Sequence, residues 1–153
     1  MADDHEARPG ADAERSFIVR RGDLRVLREL AAWTHEVSSH RGWSSSLRSD
    51  IDLALHEAVS NVIRHGIADE AEHVVTVSVA PESAGAWVRV SDDATPFDPL
   101  TAPAVPQAAT LLDAQPGGRG LVLLRAMTTA MDYTYAGGRN VLTLHFPSRA
   151  LDA

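Results

Sequence analysis

Two tight pairs of alternating stretches restrict this chain more than any other feature. "VVTVSVAP" and "AWVRVSDD" each alternate in the manner of half-buried strands, and only the few residues around "ESAG" separate them. "DYTYA" and "VLTLHF" repeat the arrangement across "GGRN", where two adjacent glycines supply the positive φ angles of a tight hairpin turn. Strands joined this closely pair antiparallel, because a parallel crossover needs a dozen residues or more.

The remaining patterned stretches are helical. Asp23, after Gly22, is expected to cap a helix running to about Ser39, with Leu24, Leu27, Ala31 and Val37 on its buried face and "RGWSSS" as its break. A second helix, from about Leu47 to His65, has Leu47, Ile51, Leu55, Ala58 and Val62 at three- and four-residue spacing. "GLVLLRAMTTAM" is a third, opened by the glycines of "GGRG". "SFIVRR" reads as a first, edge strand. Residues 1–15 and 149–153 are expected to be tails around one domain, residues 16–148. From Phe97 to Gly118 the chain turns to Pro, Ala, Thr and Gly, the composition of a long mobile lid holding one short helix at "QAATLLD". The order is strand, two helices, two strands, lid, helix, two strands. It predicts an α+β fold, a two-layer sandwich of a mixed, mainly antiparallel sheet with helices on one face.

Composition narrows the chemistry. All 14 basic residues are arginine, so the lysine of a P-loop or of an ordinary protein kinase is absent. With no cysteine, thiolate nucleophiles and cysteine metal sites are excluded. A formal net charge of −7 opposes direct binding to nucleic acid and leaves room for a basic protein partner. No apolar run is long enough to span a bilayer and no leader pattern opens the chain, so a cytoplasmic protein with no membrane association is expected.

Three short constellations carry chemistry. In "LALHEAVSNVIRHG", Glu57 and Asn61 stand one helical turn apart on one stripe, which Arg64 and His65 extend. Asparagine is a poor helix-interior residue, because its amide competes for backbone hydrogen bonds, so Asn61 asks for a reason. In "VRVSDDATPFDP" a strand ends at Asp92, whose carboxylate suits the amino group of a bound base, with Phe97 to wall the pocket. "GGRG" opens a helix, where small residues let a ligand approach the free N–H groups and the positive end of the helix dipole.

In this order the motifs resemble the GHKL ATPase superfamily, which includes gyrase, heat-shock chaperone ATPases and sensor histidine kinases. "LALHEAVSNVIRHG", "DDATPFDP", "GGRGLVLLRAM" and "GGRNVLTLHF" look most like bacterial anti-sigma-factor serine/threonine kinases. The resemblance implies the GHKL (Bergerat) fold, ATP and Mg2+ as cofactors, and Asn61 as the side chain whose oxygen ligates the magnesium. It implies Glu57 as the general base, Asp92 as the acceptor of the adenine amino group, and Thr143 as its support through water. Gly118 and Gly120 would cradle phosphate, with Arg119 and Leu121 of the same segment beside them. Ala94 departs from the pattern, since the family usually has glycine there, and a methyl at that point either crowds the base or is tolerated. The implied partners are a sigma factor, an anti-sigma-factor antagonist protein and a second copy of the chain in a homodimer.

Three other readings compete. A sensor histidine kinase needs an upstream hairpin with a phosphoacceptor histidine, for which the stretch before the second helix is too short. A zinc protease needs histidine where Ser60 stands. A nucleotide- or partner-binding regulatory module without kinase activity is the alternative that Ala94 favours.

Overall fold

A computed structural model describes residues 13–101 and 118–148, leaving aside the side chains of Gly118 and Arg119. The expected tail residues 1–12 and 149–153, and most of the expected lid with its short helix, lie outside the described residues.

Among the described residues, five strands form one sheet in the order β1-β2-β3-β5-β4: β1 Ala13–Val19, β2 His73–Glu82, β3 Gly85–Asp92, β4 Ala130–Ala136 and β5 Arg139–Pro147. Every pairing is antiparallel, so the sheet is not mixed as expected. Both short connections force this within the hairpins, and the longer ones bring their strands back in the opposite sense. Gly137 and Gly138 both have positive φ, at 61° and 77°, which is the backbone of the tight turn that fixes the β4–β5 register. β1 is an edge strand, as expected, but starts at Ala13, three residues into the anticipated tail.

Helices α1 Val26–Arg41, α2 Ser45–Asn61 and α3 Gly118–Met127 lie on one face of the sheet. Alternation decides which strand residues meet them. Ala86, Val88 and Val90 on β3, and Leu142, Leu144 and Phe146 on β5, are buried against Ile51, Ala54, Leu55, Ala58 and Leu124. Each fully buried aliphatic side chain of this kind contributes about 1.5–3 kcal/mol. The other sheet face carries Trp87, Arg89 and Ser91 on β3 beside Val141, Thr143 and His145 on β5.

Four helix expectations need correction, the last of them the end of α2. Asp23 does not cap α1; its carboxylate accepts from the Arg25 backbone N–H and pairs with the Arg25 guanidinium, so the helix begins at Val26. The buried face of α1 is Leu27, Leu30, Trp33, Thr34 and Ser38, and Ala31 is exposed. α3 ends at Met127, and Ala130 and Met131 already belong to β4.

The α-helix of α2 ends at Asn61, short of His65. Ser44 caps its start, the hydroxyl accepting from Leu47 N–H at 3.1 Å. Its last turn widens into a π turn, Val62–Gly66, closed by Ile67 N–H on the Val62 carbonyl. Arg64 and His65 sit on that turn, exposed, and do not continue the Glu57–Asn61 stripe into the cleft.

Candidate functional site

Strand parity places the acidic pair. Asp92 stands two residues beyond Val90, so it falls on the helix-facing side of β3 and is only 4% exposed. Asp93 leaves that face and meets His73 at the start of β2. The register sets Asn140 of β5 directly opposite Asp92. Its amide donates to Asp92 Oδ1 at 2.9 Å, and the Ala94 backbone N–H donates to the same oxygen at 3.0 Å. Burial pushes the Asp92 carboxyl above its ordinary value, against the lowering effect of these two bonds.

Asp92 and Asn140 border a cavity between α2, α3 and the sheet, with Asn61, Phe97, Leu124 and Tyr133 also in its lining. Asn61, the last residue of α2, thus points a polar side chain into the cleft, which accounts for an amide at a helix position that otherwise disfavours it. Phe97 walls the cavity while 41% exposed, and its backbone N–H donates to Asn140 Oδ1 at 3.0 Å.

One turn before Asn61, the Glu57 carboxylate lies against the start of α3. A Cβ built on Gly120 would stand 2.5 Å from Glu57 Oε2, so the space a side chain would take is filled by that carboxylate. The glycine of "GGRG" and the glutamate of α2 are thereby one arrangement, in which the absence of a side chain on α3 admits the acid. Leu121, next in α3, is buried; Gly118 opens the helix.

Ala94 does not crowd the cavity. Its methyl is buried against Gly66, where a Cβ would come within 3.3 Å of it, and the neighbouring Thr95 N–H donates to the Gly66 carbonyl at 3.2 Å. The missing side chain at position 66 makes room for the one present at 94.

Thr143 is the residue misplaced by sequence reasoning. It pairs across the ladder with Arg89, and its hydroxyl accepts from Arg89 Nε at 3.3 Å on the sheet face away from the helices. Asp92 is on the other face, so Thr143 cannot support a base held there. Asn140 takes the β5 position in the cleft, and Tyr133 donates its hydroxyl hydrogen to Asn140 Oδ1. The alternation of Phe146, Leu144 and Leu142 down β5 reaches Asn140, and that parity was the available signal.

His73 ties two loops near the site. Its ring contacts Asp69 Oδ1 at 2.6 Å and Asp93 Oδ1 at 3.2 Å. The Asp69 hydrogen bond raises the imidazole above its ordinary value, opposed by desolvation and reinforced by Asp93. A cation held this way stabilises the fold fully below the unfolded value of about 6.5, and the contribution is lost as pH rises through the raised folded value. Thermal melts between about pH 6 and pH 9 should therefore fall on the alkaline side, and His73→Gln should flatten that slope. Equal slopes would show that the pair carries no linkage.

The chain is similar to known proteins. Serine/threonine-protein kinase BtrW of Bordetella bronchiseptica is 30% identical over 112 residues, which is 73% of this chain and 79% of that protein. The solved structure of the RsbU and RsbW domains of Rv1364c from Mycobacterium tuberculosis aligns over 91% of this chain with a TM-score of 0.59 and 19% identity. At that identity the likeness is one of fold, and this chain spans about a third (34%) of that solved chain. Residues 21–146 match the histidine kinase-like ATPase domain. That match takes in every element around the cleft, from α1 to β5, and the chain belongs to the histidine kinase-like ATPase domain family.

Proposed function

We propose that this chain binds magnesium-ATP in the cleft and is a serine/threonine protein kinase acting as an anti-sigma factor. In this reading it sequesters a sigma factor and phosphorylates a serine of the antagonist protein that competes for it. The observation that carries the reading is the joining of Glu57 to Gly120 at the start of α3, one turn from Asn61 in the cavity that holds Asp92. The similarity to BtrW, named a serine/threonine-protein kinase, supports it independently. The methyl of Ala94 turns toward Gly66, which removes the steric ground for a module that binds nucleotide without reacting.

The chemistry follows from the side chains. Asp92 accepts the amino hydrogen of adenine, and Phe97 covers the base. Phosphates lie toward the N-terminus of α3, where the dipole and free N–H groups favour negative charge. Glu57 takes the proton of the attacking serine hydroxyl as its oxygen bonds to the γ-phosphorus, and the bond from that phosphorus to the β-phosphate bridge breaks, releasing ADP. Asn61 offers a neutral side-chain oxygen at the cavity, a hard donor that would suit Mg2+. Among the described residues no group of three or more histidine and acidic side chains converges on a metal position, so such an ion would rest largely on the phosphates and water. Bound there, Mg2+ offsets phosphate charge. No helix among the described residues is long and apolar enough to cross a membrane. A cytoplasmic homodimer with no direct nucleic-acid contact completes the proposal.

Asp92→Asn keeps the shape but turns a pure acceptor into a group that also donates. It should weaken ATP by about 1–3 kcal/mol, the scale of one buried unsatisfied group. Calorimetry on both proteins checks this; unchanged affinity would remove Asp92 from the base site. The kinase activity itself is tested with terminally labelled ATP and purified anti-sigma-factor antagonists of the native host. Label on an antagonist serine is expected, and ATP binding without label on any antagonist would favour the regulatory module.

A further inference from the structure

Asn140 uses every part of its amide on the protein. Nδ2 faces three acceptors, Asp92 Oδ1 at 2.9 Å, the Thr95 carbonyl at 3.1 Å and the Ala94 carbonyl at 3.2 Å. Oδ1 accepts from Phe97 N–H and from the Tyr133 hydroxyl. Three oxygens around one end and a backbone N–H at the other fix which end of the amide is nitrogen. The residue is 6% exposed, and its side chain links β3, the segment after it, β4 and β5.

The consequence falls on Asp92. Its Oδ1 is filled by two N–H donors, from Asn140 and Ala94, while Oδ2 accepts no hydrogen bond among the described residues. A carboxylate pinned by one oxygen cannot rotate, so a ligand meets a single acceptor in a fixed direction. That suits an amino group at the base edge and repels a keto oxygen. Without the Asn140 donor only the Ala94 N–H still holds Oδ1, and the carboxylate can turn to present both oxygens to the adjacent ring N–H and amino donors of guanine.

We infer that Asn140 is a positioning residue that sets nucleobase selectivity, holding Asp92 with one oxygen filled and the other open to an amino donor. This rests on the nucleotide reading of the cleft. Asn140 touches Asp92 and not the reacting atoms, so it acts on which base is accepted rather than on transfer.

The test is calorimetric titration of ATP and GTP into the full chain, native, Asn140→Ala and Asn140→Asp, with melting curves to establish that each variant is folded. Native protein should prefer ATP, and Asn140→Ala should shrink the ATP-to-GTP ratio by about tenfold or more, the scale of one lost hydrogen bond to a charged group. A purely structural role would lower both affinities together and leave the ratio unchanged. Asn140→Asp sets a second carboxyl against Asp92. Sharing one proton, the pair reproduces the lost donor; with both ionised it repels, so the preference should return as pH falls. Asp93 and Arg139 act on Asp92, and Tyr133 contacts position 140, in both proteins, so the difference reports the new carboxyl. Native preference in a folded Asn140→Ala protein, or a pH-independent ratio in Asn140→Asp, would overturn the role of Asn140. Native protein that binds no ATP would overturn the nucleotide reading and this inference with it.

Discussion

Glu57→Gln should leave ATP affinity within a few-fold of native and lower phosphate transfer by about 10²–10⁴, the range for losing a general base. The substitution keeps the size and the contact with α3 but cannot take a proton. Asp92, Asn140 and Asn61 line the cavity and Glu57 is not in its lining, so binding is not expected to depend on the Glu57 charge. The measurement pairs calorimetry with a single-turnover assay of labelled phosphate reaching the antagonist serine. Native transfer rates in Glu57→Gln would remove the base from this residue. Loss of binding alongside transfer would make Glu57 a ligand-holding group instead.

Gly120→Ala should separate stability from activity. Gly120 lies in the first turn of α3, where alanine is favoured over glycine by up to about 1 kcal/mol. The same methyl would fall 2.5 Å from Glu57 Oε2. The end of a flexible side chain gives way, so the fold survives while the carboxylate swings off its line to the hydroxyl. A displacement of about 1 Å can cost about 10²-fold in rate. The variant should melt no lower than native, bind ATP within a few-fold of native, and transfer phosphate about a hundredfold more slowly. Unchanged transfer would mean that the Glu57 position at α3 is not the one used in reaction.

The sequence spoke clearly where the physics is local. The two hairpins, the glycine turn at Gly137–Gly138 and the apolar stripe of α2 each follow from short-range periodicity, and the sheet assembled from them accordingly. Asp92 was legible because a strand reading "VRVSD" carries its own parity to the end. Thr143 took its role from the resemblance and not from that parity: Leu142, Leu144 and Phe146 mark the inward face of β5, and Thr143 falls on the other. Asn140 was hidden by its neighbours. Within "GGRN" an asparagine reads as a turn residue, whereas the turn is finished by Gly138 and Asn140 is already opposite Asp92. The meaning of Ala94 lay in Gly66, a partner distant in sequence, and no local pattern can report a cavity filled from the other side. The widening of α2 into a π turn after Asn61 likewise has no signature in apolar spacing.

All of this depends on nucleotide entering on the helix side of the sheet. Backbone amide shifts recorded by heteronuclear NMR during an ATP titration test that directly. The expected movements cluster at Asn61, Asp92, Ala94, Phe97, Gly120 and Asn140, with Trp87, Arg89 and Thr143 on the opposite face staying in place. Shifts gathered around Arg89 and Thr143, or none at saturating ATP, would contradict the cleft as the nucleotide site.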